Sequence, residues 1–195
     1  MLCVSFEIIG VSDLMFGKNV TEKKRDDETH EQKEFRTWQQ KVHLTTDGQC
    51  FIQPFALKNC LESAARWLSM SIPGEGKKTF TKRFTSGVLV TEKMLLVDSK
   101  GKTLTIDDVE PIEIFAPSDG QRGSKKRVVR IFPTIHEWRS KGEAYLFDSK
   151  ITEDVFRRHI TAAGKFVGFG SMRVENGGIN GRFAVENLSS KEIEM

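Results

Sequence analysis

Cysteine, histidine and tyrosine are all scarce in this 195-residue chain, with three, four and one respectively. Cys3, Cys50 and Cys60 are odd in number and form no CxxC pair. That excludes a disulfide framework and a zinc site, and leaves buried free thiols in a reducing cytoplasm as the simple reading. His30, His43, His136 and His159 stand far apart, and no spacing among them marks a catalytic group or a metal site. Asp26-Asp27 and Asp107-Asp108 read as solvated turns, not metal ligands. No metal or cofactor is expected. No apolar run approaches the roughly 20 residues that cross a bilayer, so no membrane partner is expected. The N-terminal MLCVSFEIIG has neither a positive flank nor a small-residue cleavage site. A cytoplasmic protein is therefore expected.

Two apparent nucleotide motifs fail on inspection. Gly76-Lys77 is followed by Lys78 where a P-loop needs Ser or Thr, and position 71 is Ser. Gly168-x-Gly170 has Arg173 where a dinucleotide fingerprint needs Gly, and it follows a helix instead of opening one. Neither an NTPase nor a dehydrogenase is indicated.

Hydrophobic residues make up 38% of the chain and charged residues 29%, a globular composition. The net charge of +3 and pI near 8.7 are compatible with nucleic acid and decide nothing alone. Val4, Phe6 and Ile8 alternate with polar residues as in a strand. Residues 54–69 carry Leu57, Leu61, Ala64, Ala65 and Leu68 on one stripe, with Pro54 in the first turn, as in a helix. Strands are expected near 86–97 and over 141–147. Thr152 is a good N-cap for a helix through residue 163, in which His159 falls on the apolar face. Gly164 stands where a left-handed C-cap belongs, and a last strand follows near 180–186. The order is βαββαβ, an α+β, ferredoxin-like (RRM-like) arrangement. It predicts one domain over 1–195, with insertions at about 10–53 and 98–140. Residues 21–34 contain no apolar side chain and read as a solvated excursion or flexible arm.

The densest feature lies at 164–183, where six of twenty residues are glycine, interleaved with two arginines and three phenylalanines. Such a run can form a hairpin with a Gly-rich turn. It can equally form a loop whose N–H groups meet phosphates, with arginine adding charge and phenylalanine a face for a base.

Within this run, Val167-Gly-Phe-Gly-Ser-Met-Arg173, closing on Gly177-Gly-Ile-Asn-Gly-Arg-Phe183, resembles the glycine-rich loop of the RAMP superfamily. These are the ferredoxin-like RNA-binding proteins of CRISPR effector complexes. Phe51-Ile-Gln-Pro-Phe-Ala-Leu-Lys-Asn59 is similar to the segment that enters their first helix. The resemblance is strongest to the backbone subunits that coat guide RNA, and to related phage-borne proteins. It implies a non-catalytic protein that binds single-stranded RNA and assembles with copies of itself or with other effector-complex subunits. Two further readings of the same fold stand beside it. One is a phage-encoded mimic that joins or blocks such a complex. The other is a metal-independent guide-processing endoribonuclease, with His43 or His136 and Tyr145 as its acid–base groups.

On the first reading the RNA-binding residues are Gly168, Gly170, Gly177 and Gly178 of the run, with Lys165, Arg173 and Arg182 as its charges. Arg122, Lys125, Lys126 and Arg127 would extend the track, and Lys58 and Arg66 would add to it from the first helix. Phe169 and Trp38 would stack on bases.

Overall fold

The alternation of the first strand places Val4, Phe6 and Ile8 on one buried face, and the rest of the molecule is assembled around that strand. The computed structural model describes residues 1–118 and 125–194. In chain order the elements are β1 (Leu2–Gly10), β2 (Leu14–Met15), α1 (His30–Thr37), β3 (Phe51–Ile52) and α2 (Pro54–Leu68). Then come α3 (Thr81–Gly87), β4 (Val88–Leu89), β5 (Met94–Val97), β6 (Glu110–Pro117) and β7 (Arg127–Ile135). The chain closes with β8 (Arg139–Leu146), α4 (Glu153–Ala162) and β9 (Phe183–Glu192).

The main sheet runs β3-β5-β8-β1-β9, with β4 also paired to β8. β1 is central and antiparallel to both neighbours: Ile9 lies opposite Arg139 on β8, and Gly10 opposite Phe183 on β9. The register with β9 shifts between Ser5 and Glu7, a bulge. The strand order, with α2 after the first strand and α4 before the last, is that of the ferredoxin-like α+β fold, as the sequence order predicts.

Both long helices bury their apolar stripes, except that Leu68, expected on the stripe of α2, is exposed at its end. α2 buries Leu57, Cys60, Leu61, Ala64 and Ala65 and stops at Ser69 in the left-handed conformation. In α4, Thr152 caps the N-terminus by accepting from the Val155 N–H, and Phe156, His159 and Ile160 are buried. The His159 ring stacks on Phe84 at 4.0 Å. Phe84 comes from α3, a helix the sequence pattern does not predict. Phe80 and Phe84, four residues apart, both bury and hold this short helix down.

The C-terminal end of α4 also differs from expectation. Gly164 is not a left-handed cap: the helix widens into a π turn over Ala163–Val167 and ends at Gly168, whose φ is +76°. The Gly168 N–H closes the turn on the Ala163 carbonyl at 2.9 Å. Gly164 is needed for space, because a Cβ there would overlap the Phe183 carbonyl.

The two long insertions build a second sheet, β2-β7-β6. α1 packs on it, and here the reading of 21–34 as a free arm is corrected. Thr29 and Gln32 form a reciprocal capping box. Arg36 pairs with Glu22 and Glu28. Glu34 accepts the Ile131 N–H at 3.0 Å and pairs with Lys41 and Arg130. A segment without apolar side chains is thus fixed by charge. Among the described residues no helix is long and apolar enough to cross a membrane.

Candidate nucleic-acid interface

The glycine-rich run is tied down more tightly than a free loop. The N–H groups of Phe169 and Gly181 bond to the carbonyls of Gly181 and Asp13 at 3.0 and 2.7 Å. Those of Ser171 and Asn180 bond to the carbonyls of Met15 and Met172 at 2.7 and 3.1 Å. A 3-10 turn over Val174–Asn176 ends at Gly177, φ +76°. Several glycines serve close approach: a Cβ on Gly170 would overlap the Met15 carbonyl, and one on Gly178 the Met172 carbonyl. Many of the run's amides are thus spent internally, and the run acts as a rigid wall pinned to the segment after β1.

That wall faces α2 across a groove of about 540 Å³. Val167, Gly168, Gly170, Ser171 and Arg173 line one side, and Phe55, Asn59, Cys60 and Ser63 of α2 the other. Lys18, Asn19, His43 and Gln53 close one end. Gln53 is the N-cap of α2 but its side chain makes no cap bond, and Pro54 supplies no N–H. The positive end of the helix dipole therefore opens toward the groove. The Gln53 amide sits 2.9 Å from His43 Nδ1, which leaves the ring proton on Nε2. Burial, and then the nearby Lys18 ammonium, hold the His43 pKa below the ordinary imidazole value, so the ring is neutral at pH 7.

The expected charges are only partly gathered here. Arg173 lines the groove, with its guanidinium 3.0 Å from Glu175. Lys165 is exposed on the π turn and does not line the groove. Arg182 is exposed, its N–H held by the Ser12 hydroxyl at 3.0 Å, and its side chain does not line the groove. Lys125, Lys126 and Arg127 are exposed at the start of β7 in the second sheet, with Arg127 donating to the Phe115 carbonyl at 3.1 Å. Arg122 lies outside the described residues.

Three expectations are corrected. Phe169 is 2% exposed and stacks on Phe183 at 4.7 Å, so its ring belongs to the core and presents no face to a base. Trp38 is partly buried and packs against the same core. Lys58 is spent on the C-terminal end of α3: it pairs with Glu62 at 2.8 Å and donates to the carbonyls of Phe84 and Thr85. Arg66 stays exposed and donates to the Ser63 hydroxyl at 2.8 Å.

The exposed aromatics are elsewhere. Phe55 stands at the groove, and Trp67, one turn beyond Ser63, lies against Phe166 with ring centroids 5.3 Å apart and planes at 26°. Trp67 is 65% exposed and Phe166 45%. The available signal was a tryptophan just outside the apolar stripe of α2.

The opposite face of the sheet has a different character. Glu7, Glu92 and Glu143 line a hollow there with Lys141, Ser5 and Ser189. A phosphate backbone is repelled by such a set of carboxylates, so this face is the poorer nucleic-acid surface. Tyr145 and Glu143 alternate along β8, opposite Cys3 and Ser5 of β1, which puts Tyr145 on this face and separates it from His43 in the groove. His136 is held between Asp13 at 3.2 Å and Glu110 at 2.8 Å. Those two carboxylates, Glu110 first, raise its pKa above the ordinary value.

No protein-family profile and no curated protein matches the chain. Solved structures do. A chain in the cryo-EM structure of the Type III-B Cmr-beta bound to cognate target RNA superimposes with a TM-score of 0.53 at 13% identity. The match covers 97% of this chain and 60% of that one, so this chain spans less than two thirds of its neighbour's length. Cmr6 from Pyrococcus furiosus matches with a TM-score of 0.45 at 12% identity, over 94% of this chain and 98% of that one. At these identities the first likeness establishes the fold alone, the α+β arrangement that the sequence order predicts.

Proposed function

We propose that this protein binds single-stranded RNA along the groove between the glycine-rich run and α2, as a non-catalytic subunit of a CRISPR effector complex. The observation that carries this reading is the convergence at the groove of the N-terminal end of α2, Lys18, Arg173 and polar groups such as Asn59. The acidic character of the opposite sheet face agrees with it. So does the fold shared with a chain of an assembly whose structure contains target RNA. Phosphates would run past the end of α2 and the Arg173 guanidinium, and Asn59 and Ser63 would meet sugar or base edges. RNA cleavage by general acid–base catalysis takes a paired acid and base at the scissile bond. The groove offers one imidazole already held by Gln53, and a carboxylate, Glu175, already held by Arg173.

Fluorescence anisotropy of labelled RNA oligonucleotides, in single-stranded and hairpin form, tests this reading. Micromolar or tighter binding of the single strand, without cleavage in EDTA, is the expected result. Failure to bind any RNA, together with stable association with other effector subunits, would instead make the protein an interaction module.

A further inference from the structure

We propose that Trp67 and Phe166 form a stacking platform for unpaired bases, extending the groove by at least one nucleotide. The inference rests on the RNA-binding reading and adds a subsite to it.

The two rings come from different elements, α2 and the π turn after α4, and meet only because that turn ends where it does. Both are large apolar groups left open to solvent, at 65% and 45% exposure, although the core is closed beneath them. Their mutual contact occupies one face of each ring and leaves the other available. Aromatic pairs held this way lose little conformational freedom when a third ring is added, and base–aromatic stacking tolerates any base because each has a π face.

The surroundings decide between a base and an apolar protein partner. Along α2, Phe55, Asn59, Ser63 and Trp67 follow one another at four-residue spacing, so each shares a face with the next. The first three line the groove, and Trp67 continues their row. At 1.5 Å per residue the row is about 18 Å long, enough to follow several nucleotides. The charges beside the rings are Arg66 and Lys165, both exposed. The nearest acidic side chain on α2, Glu62, is already paired with Lys58 at 2.8 Å. The turn carrying Glu175 packs on the π turn, but that carboxylate is paired with Arg173, and aromatic faces beside two exposed cations and continuous with a groove of polar groups fit a nucleic-acid strand. Arg66, anchored by its bond to Ser63, is placed for a phosphate, as is the unencumbered ammonium of Lys165.

The test compares Trp67→Ala and Trp67→Phe with the wild type on three fluorescein-labelled probes: an RNA trinucleotide, an RNA octanucleotide and an octanucleotide with four abasic units at one end. Trp67 is exposed, so thermal melts of the variants should match the wild type. Expected is an octanucleotide affinity about tenfold lower for Trp67→Ala, near-complete rescue in Trp67→Phe, and little change on the trinucleotide. The abasic probe should bind the wild type more weakly than the octanucleotide, and should bind Trp67→Ala and wild type alike. Quenching of tryptophan emission by the octanucleotide should disappear in Trp67→Ala. Unchanged octanucleotide affinity and quenching in Trp67→Ala would overturn the platform and leave the groove intact. So would a self-associated wild type that becomes monomeric in Trp67→Ala with unaltered RNA affinity. A wild type that binds none of the probes would overturn both readings.

Discussion

Gly164 lies against the main chain of Phe183 so closely that a side chain on it would collide with the Phe183 carbonyl oxygen. This places the π turn directly under the start of β9. Gly164→Ala should therefore cost roughly 2 kcal/mol or more through overpacking against backbone that cannot swing aside. Gly101→Ala, at φ +84° with open space around it, should cost only about 1 kcal/mol from conformational strain. Urea denaturation with an unchanged slope reads both. The reverse ranking would mean that the turn relaxes around the added methyl.

Arg173 is held by Glu175, and that pair should modulate RNA binding. Glu175→Gln frees the guanidinium and removes a carboxylate from the groove, so RNA affinity should rise about two- to fivefold at low salt, the usual worth of an exposed pair. Arg173→Ala should lower affinity and flatten the log–log salt dependence by about 0.7. Titrations at four salt concentrations measure both, and an unchanged slope in Arg173→Ala takes this residue off the RNA path.

His159 makes the protein acid-sensitive. It is fully buried, its Nδ1–H donates to the Val155 carbonyl at 2.7 Å, and Nε2 has no partner among the described residues. Burial holds its pKa below the ordinary value, with the Val155 bond opposing. Below about pH 6.5 the unfolded imidazole takes up a proton that the folded one refuses. Its contribution is therefore full above that pH and is lost progressively as pH falls toward the folded-state pKa. His159→Phe should flatten the decline in stability between pH 6.5 and 5, while the wild type should fall steadily there. Denaturation midpoints at half-unit pH intervals give the comparison.

Glu34 and Lys41 are both largely buried, and Lys41 also donates to the Ile131 carbonyl at 2.7 Å. Glu34→Ala strands that ammonium and the Ile131 N–H together, at a cost of about 3 kcal/mol. Trypsin should spare Lys33 and Arg36 in the wild type and cut there early in Glu34→Ala. Early cutting of the wild type at those sites would show that α1 is not held on the second sheet.

The legible and illegible parts of this chain divide along physical lines. β1 and α2 could be read because each buries one face, and the alternation of Val4, Phe6 and Ile8 or the stripe from Leu57 to Ala65 repeats the geometry of that face. The start of α4 was legible in Thr152, since a cap is a local bond; its end was not. Gly164 and Gly168 look alike in sequence, and only the position of Phe183, which arrives from β9, decides which one must be left-handed. α3 escaped notice because two phenylalanines are too few to establish a period. At the site, the glycine run and the entry to α2 were recognisable as a pair. The burial of Phe169 and the exposure of Trp67 were not, because both depend on where the π turn sets the chain.

The central position of β1 also fixes the order in which this molecule can come into being. β1 has no partner until β8 is made about 130 residues later, and then β9. At 5–20 residues per second that wait is on the order of ten seconds. The groove is later still, since its wall is the run pinned to Asp13 and Met15, which begins only after α4 is complete. A chain lacking residues beyond 163 would thus leave the β9 edge of β1 unpaired and lack the glycine-rich wall of the groove, so a complete groove marks a chain on which β9 has docked.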